Sequence, residues 1–145
     1  MYKRILLGYD GSESGQQALL GSREIAQWSQ AELVLVAVML MPIAALSPEG
    51  GLYDPAVEEV ERERYRAILE AGVQRLAQAG LQARGEVVSG DPVQELAKAA
   101  ARLQADLIVV GHKHLDGWAA RWWRGSVSKH LIEHAPCSVL VVITR

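Results

Sequence analysis

Cationic side chains and small residues crowd one stretch, Gly111 to Val127, which reads Gly-His-Lys-His-Leu-Asp-Gly-Trp-Ala-Ala-Arg-Trp-Trp-Arg-Gly-Ser-Val. Before it, Ala105 to Val110 is a short, β-branched apolar run that stops at a glycine. After it, Ser126 to Ala135 reads as a helix opened by Gly-Ser-Val-Ser. The first turn of a helix offers unpaired N–H groups and carries roughly +0.5 charge, so a strand end, a cationic loop and a helix start together make an anion site. Lys113, Arg121, Arg124 and Lys129 are placed to add charge-assisted contacts. The same residues also read as a surface loop with solvated charges, and their types alone leave both readings open.

Other patterns carry less chemistry. His130-Leu131-Ile132-Glu133-His134 matches the H-x-x-E-H zinc pattern. A catalytic zinc needs a third protein ligand, and only an apolar strand follows. A helix face is therefore the better reading. His112 and His114 alternate near a strand end, where side chains diverge, so His114 reads as a phosphate donor before it reads as a metal ligand. Asp10-Gly11-Ser12-Glu13-Ser14 lacks the double glycine and preceding serine of an ATP-pyrophosphatase loop, and there is no G-x-x-x-x-G-K-[ST]. Ser126 and Ser128 have no identifiable base beside them, so no catalytic residue is assigned. Cys137, opening an apolar strand after Pro136, reads as an inert small hydrophobe. Trp118, Trp122 and Trp123 pack the loop or cover a partner surface, with stacking on a base as the other reading.

The elements that must position these residues follow from apolar patterning. Ile5 to Tyr9 is nearly all apolar, as a strand covered on both faces should be, and it ends at Asp10-Gly11-Ser12. Ser12 or Ser14 caps a helix reaching about Trp28, which buries Ala18, Leu19, Ser22, Ile25 and Ala26. Leu33 to Met39 is a second buried strand. Met41 to Asp54, rich in Pro and Gly, is a long loop. A helix follows from about Ala56 to Ala79, with Tyr65, Ile68, Leu69, Gly72 and Leu76 on one face and a mixed-charge, solvated start at Glu58 to Arg64. Gly80 ends it. Leu81 to Val88 is an outer strand, and Asp91-Pro92 caps a helix whose buried stripe is Leu96, Ala99, Ala100 and Leu103. Pro136 stops the last helix, and Cys137 to Thr144 makes the final strand.

Strand–helix alternation with helix-length spacers predicts an α/β fold: one domain over residues 1–145, doubly wound around a five-stranded parallel sheet, Rossmann-like, with helices on both faces. Ligands in such sheets bind past the carboxyl ends of the strands, where the winding reverses. If the first and fourth strands are neighbours there, Asp10 and Gly111 face one another across the crevice. At 145 residues, half of them apolar, the chain buries a sizeable core. A formal charge of −2 gives no case for nucleic acid or an anionic membrane surface. No apolar run approaches the ~20 residues of a membrane span. One cysteine and no apolar leader predict a soluble, cytoplasmic protein.

Ile5-Leu6-Leu7-Gly8-Tyr9-Asp10-Gly11-Ser12, the strand Leu33–Val38, Ala105–Gly111, Gly125-Ser126-Val127-Ser128 and His134 to Val142 together resemble the universal stress protein family over essentially the whole chain. The resemblance implies the strand order 3-2-1-4-5 and, in the family's nucleotide-binding branch, ATP or AMP, with or without magnesium. By position, Asp10 then faces ribose or adenine, and Gly8, Val38 and Val110 line the base pocket. Gly111, Gly125, Ser126, Val127 and Ser128 hold phosphates, with Lys113, His114 and Arg124 alongside. His114 stands where the family's second phosphate-loop glycine falls, Gly117 substitutes for it by a shifted path, and the loop is one position longer than the family pattern. That departure supports the alternative of a dimeric stress module without ATP. A slow ATP hydrolase, with Asp10 and Asp116 as its candidates, is the third reading. The resemblance also implies a homodimer through the C-terminal strand 138–144, whose uncovered apolar edge is a template for its twin.

Overall fold

The computed structural model describes residues 1–39, 54–113 and 127–144. Nine elements alternate: β1 (Arg4–Gly8), α1 (Glu13–Ser29), β2 (Glu32–Met39), α2 (Pro55–Gln78), β3 (Ala83–Ser89), α3 (Pro92–Arg102), β4 (Leu107–Lys113), α4 (Val127–His134) and β5 (Ser138–Thr144). The strands form one parallel sheet in the order β3-β2-β1-β4-β5, the order implied by the resemblance. Gly8 lies opposite Val36 on one side and Val110 on the other, so the tips of β1 and β4 are neighbours.

Two apolar layers clamp this sheet. On one face Ile5, Leu7, Leu33, Leu35 and Val109 meet Ala18, Leu19 and Ala26 of α1 and Leu69 and Leu76 of α2. On the other, Leu6, Val34, Val36, Ile108 and Val110 meet Leu96, Ala99 and Ala100 of α3 and Leu131 of α4. The central strands therefore read as continuous apolar runs, because both of their faces are covered. Ser22 is a buried polar group in this core, and its hydroxyl is satisfied by the Ala18 carbonyl one turn back.

The helix starts follow the local chemistry of the sequence. The Ser12 hydroxyl accepts from Gly15 N–H at 3.1 Å, and Asp91 accepts from Gln94 N–H at 3.0 Å with Pro92 inside the first turn. The helix ends share one device. Gln30, Gly80 and Gln104 take φ of 55°, 84° and 54°, and the next residue's N–H bonds a carbonyl five residues back (Ala31 to Ala26, Leu81 to Leu76, Ala105 to Ala100). Leu81 is thus used to finish α2, and β3 begins at Ala83, two residues later than its apolar alternation suggests. A second correction concerns β4. It does not stop at Gly111 but runs through it to Lys113, because β5 continues to pair with it up to Thr144.

Candidate functional site

The tips of β1 and β4 are held together by α1. After Gly8, the Tyr9 N–H still bonds the Val36 carbonyl at 3.0 Å, which extends the strand direction by one residue. The Tyr9 side chain turns into the core, only 3% exposed. There its hydroxyl accepts from Gln16 Nε2 at 2.6 Å, and Gln16 Oε1 accepts in turn from the Arg75 guanidinium. Burial pushes the Tyr9 hydroxyl pKa up, partly offset by the Arg75 charge. Asp10 is left exposed beyond it. Its Oδ1 accepts from Ser12 N–H at 2.9 Å, which closes a turn through Gly11 at φ +79°. A Cβ on Gly11 would stand 2.8 Å from Ile68 Cγ2, so only glycine fits there.

The first turn of α1 then reaches both strands. Asp10 Oδ1 lies 3.0 Å from where a Cβ on Gly15 would be. A Cβ on Gly111 would collide with the Ser14 carbonyl, so the backbone of α1 sits directly on the backbone of β4 at that residue. The sequence pointed to glycine at 111 as a strand stop and a phosphate approach; the packing reason for it, α1 lying on β4, carries no signal in the sequence. Asp10 and Gly111, the pair anticipated across the crevice, each touch the first turn of α1, Asp10 at Ser12 and Gly15 and Gly111 at Ser14.

Beside the carboxylate lies an apolar wall on the α3 face. A Cβ on Gly8 would meet Val110 Cγ1 at 3.2 Å and Leu96 Cδ1 at 3.3 Å. Val110 is buried, and Val38 packs half-buried against the same cluster. Gly8, Val38 and Val110 therefore share one side of the sheet. Lys113 ends β4 opposite Thr144, and Val127 and Ser128 open α4. His114, Gly117, Arg124, Gly125 and Ser126 lie outside the described residues, as do Asp116, Arg121, the three loop tryptophans and the loop 40–53.

The motifs set aside from the sequence are placed as follows. His130 and His134 are exposed on α4, and the His134 Nδ1 is turned to the His130 carbonyl at 2.8 Å. Among the described residues, no three His, Cys, Asp or Glu side chains gather as a metal site requires. Cys137 is half-buried, and burial raises its thiol pKa further above neutrality, away from the reactive thiolate. The mixed-charge start of α2 pairs with itself, Arg62 with Glu58 at 3.1 Å and Arg64 with Glu61 at 3.1 Å.

A second concavity went unforeseen. An open groove of about 810 Å³ runs between α2 and β3, lined by Arg62, Arg66, Arg84, Arg102, Glu70 and Glu86. Three consecutive elements, α2, β3 and α3, build it together, so the pattern of no single element signals it. Its arginines are already engaged: Arg102 with Glu86 at 2.6 Å, Arg84 with Glu86 at 3.1 Å and Glu32 at 3.4 Å, and Arg66 with Glu63. The Arg102 guanidinium holds the Glu86 carboxyl below the usual carboxylate range. An incoming anion there would meet guanidiniums whose charge is already offset by a carboxylate. The tips of β1 and β4 instead present an exposed carboxylate, Asp10, at the point where the winding reverses, which is where ligands of such sheets bind.

A sequence profile described as the universal stress protein family matches residues 1–142. The chain is 30% identical to the universal stress protein YxiE of Bacillus subtilis, over 98% of this chain and 99% of that one. A crystal structure from the same family in Burkholderia pseudomallei superposes with a TM-score of 0.76 at 30% identity, covering 97% of this chain and 96% of that chain. A universal stress protein in complex with cAMP superposes with a TM-score of 0.69 at 26% identity, covering 97% and 96%.

Proposed function

The chain belongs to the universal stress protein family, and from that premise we propose that it is a regulatory adenine-nucleotide-binding protein without robust catalysis, holding ATP or AMP past the tips of β1 and β4. The observation that carries the reading is the convergence of Asp10 and Gly111 on the first turn of α1, next to the apolar wall of Gly8, Val38 and Val110. A nucleoside needs an apolar surface for the base and an acceptor for ribose hydroxyls or the exocyclic amine, and the Asp10 carboxylate beside Gly8, Val38 and Val110 fits that need. The cAMP complex of a relative supports an adenine ligand class.

In this reading the Asp10 carboxylate accepts from the ribose or the adenine amine, with Ser12 N–H fixing its orientation. Gly8, where even a Cβ would press on Val110 and Leu96, presents bare backbone toward the base. Phosphates lie toward Gly111, Lys113 and the opening of α4 at Val127 and Ser128, with His114, Gly117, Arg124, Gly125 and Ser126 completing their cradle. A magnesium ion bound with ATP would neutralise phosphate charge there. The single cysteine supports a reducing, cytoplasmic setting. Calorimetric titration with AMP and ATP tests the reading. Saturable binding, weakened at least about tenfold in Asp10→Ala, is expected, and no heat at millimolar nucleotide with folded protein would overturn it.

A second reading has its own observation. Val139 to Ile143 of β5 carries no charge on the outer edge of the sheet, and Ile143 is 56% exposed. Edge strands that stay single are usually blunted by charge or proline. We therefore place a homodimer at strand 138–144, and it stands whether or not nucleotide binds. Sedimentation equilibrium at micromolar protein reads it directly.

A further inference from the structure

The flank of α1 beside β5 carries a surface that strand pairing alone does not use. Ala18, Ser22 and Ala26 face the sheet. On one side of that stripe Gln16 reaches Arg75 and Gln27 donates to the Ala79 carbonyl at 3.3 Å, so this side faces α2. On the other side, about 100° per residue places Ser14, Gly21 and Trp28 in one row, seven positions apart. That row faces β5: a Cβ on Gly21 would touch Val142 Cγ2 at 3.7 Å, and Ile25 packs in the same cluster as Leu140 and Val142. Trp28, at the end of the row, is 75% exposed. An exposed indole at the end of a row that faces an unpaired apolar strand has the chemistry of an interface anchor.

We propose that Trp28 of each copy packs on the Ser14 turn of the partner's α1 when two chains pair through β5. The occupant is a second copy because of symmetry. A two-fold axis that sets β5 antiparallel to its twin near Val141 also sets the two α1 helices antiparallel, crossing near Gly21, which lies level with Val142. Glycine at the crossing allows close approach. Seven residues to either side, about 10 Å along each helix, Trp28 then meets Ser14 of the second copy. Ser14 is no neutral place. Its carbonyl rests on Gly111, and its hydroxyl lies 3.1 Å from that of Ser12, the residue whose N–H holds Asp10. The partner's indole therefore bears on the turn that shapes the proposed nucleotide cleft, so each copy supports the other's site.

The inference rests on the β5 pairing proposed above, and sedimentation equilibrium of the full chain separates the two. Wild type is expected to be a dimer, Ile143→Lys a monomer, and Trp28→Ala at least about tenfold weaker in dimerisation, the loss of a typical hot spot. Wild-type emission should shift to the blue as concentration rises, and Trp28→Phe, which keeps an aromatic anchor, should dimerise without that shift. A monomeric wild type overturns both the strand pairing and this contact. A dimer broken by Ile143→Lys but indifferent to Trp28→Ala overturns the contact alone. A dimer broken by Trp28→Ala but untouched by Ile143→Lys overturns the strand register from which the contact was placed.

Discussion

Two concave regions of this molecule invite a ligand for opposite reasons. The groove between α2 and β3 is roomy and rich in arginine. The tips of β1 and β4 bring together glycines, one carboxylate and an apolar cluster. The groove's charges are spent on one another, with Arg102 and Arg84 sharing Glu86. The cleft's Asp10 is oriented by a backbone N–H and remains open to solvent.

Glycines give the sharpest contrast between the two. Gly111→Ala would drive a methyl into the Ser14 carbonyl, a backbone atom that cannot swing aside. It is expected to cost about 2–3 kcal/mol, read as a fall in thermal midpoint, and to abolish nucleotide binding. Gly85→Ala, in the groove, meets Leu69 Cβ at 3.2 Å and removes the entropic penalty of glycine in a strand. Its net effect is expected to stay under about 1 kcal/mol. Equal losses at the two positions would erase the distinction.

Charges give the next contrast. Asp10→Ala should weaken AMP by at least about tenfold in calorimetry, the worth of a hydrogen bond to a charged group. Arg84→Ala should leave AMP affinity unchanged. The reverse pattern would move the site to the groove.

The smallest expected effect is the pH dependence of the groove itself. Arg102 lowers the Glu86 pKa in the folded chain, so the pair stabilises above the unfolded carboxyl pKa of about 4.3 and loses that contribution as pH falls through the folded value. Arg102 is half-exposed, so screening keeps the pair near 0.5 kcal/mol, an order-of-magnitude figure for partly exposed ion pairs. Denaturant titration should show Arg102→Ala destabilised by about that much at pH 7, with the gap closing below about pH 4. A gap that widens in acid would contradict this ion pair.

Much of the fold was legible because its signals are local. The apolar run Leu33 to Met39, the Asp91-Pro92 cap and the glycine after α2 each declare an element within a few residues. Alternation then supplied the parallel sheet, and the sheet made the tips of β1 and β4 neighbours. What escaped has no residue type that advertises it, or needs several elements at once. Gln30 and Gln104 adopt the left-handed conformation that glycine advertises and glutamine does not. β4 outruns Gly111 because β5 is there to pair with it. The groove needs α2, β3 and α3 at once, and Trp28 gains meaning only once α1 is seen to flank the edge strand.

The account stands on where an adenine nucleotide lands. Titrating isotopically labelled protein with AMP while following backbone amide resonances tests it most directly. Saturable shifts at Gly8, Asp10, Val38, Val110 and Gly111, with Arg66, Arg84 and Gly85 still, are the predicted result. Shifts confined to those last three, or none anywhere at millimolar AMP, would contradict it.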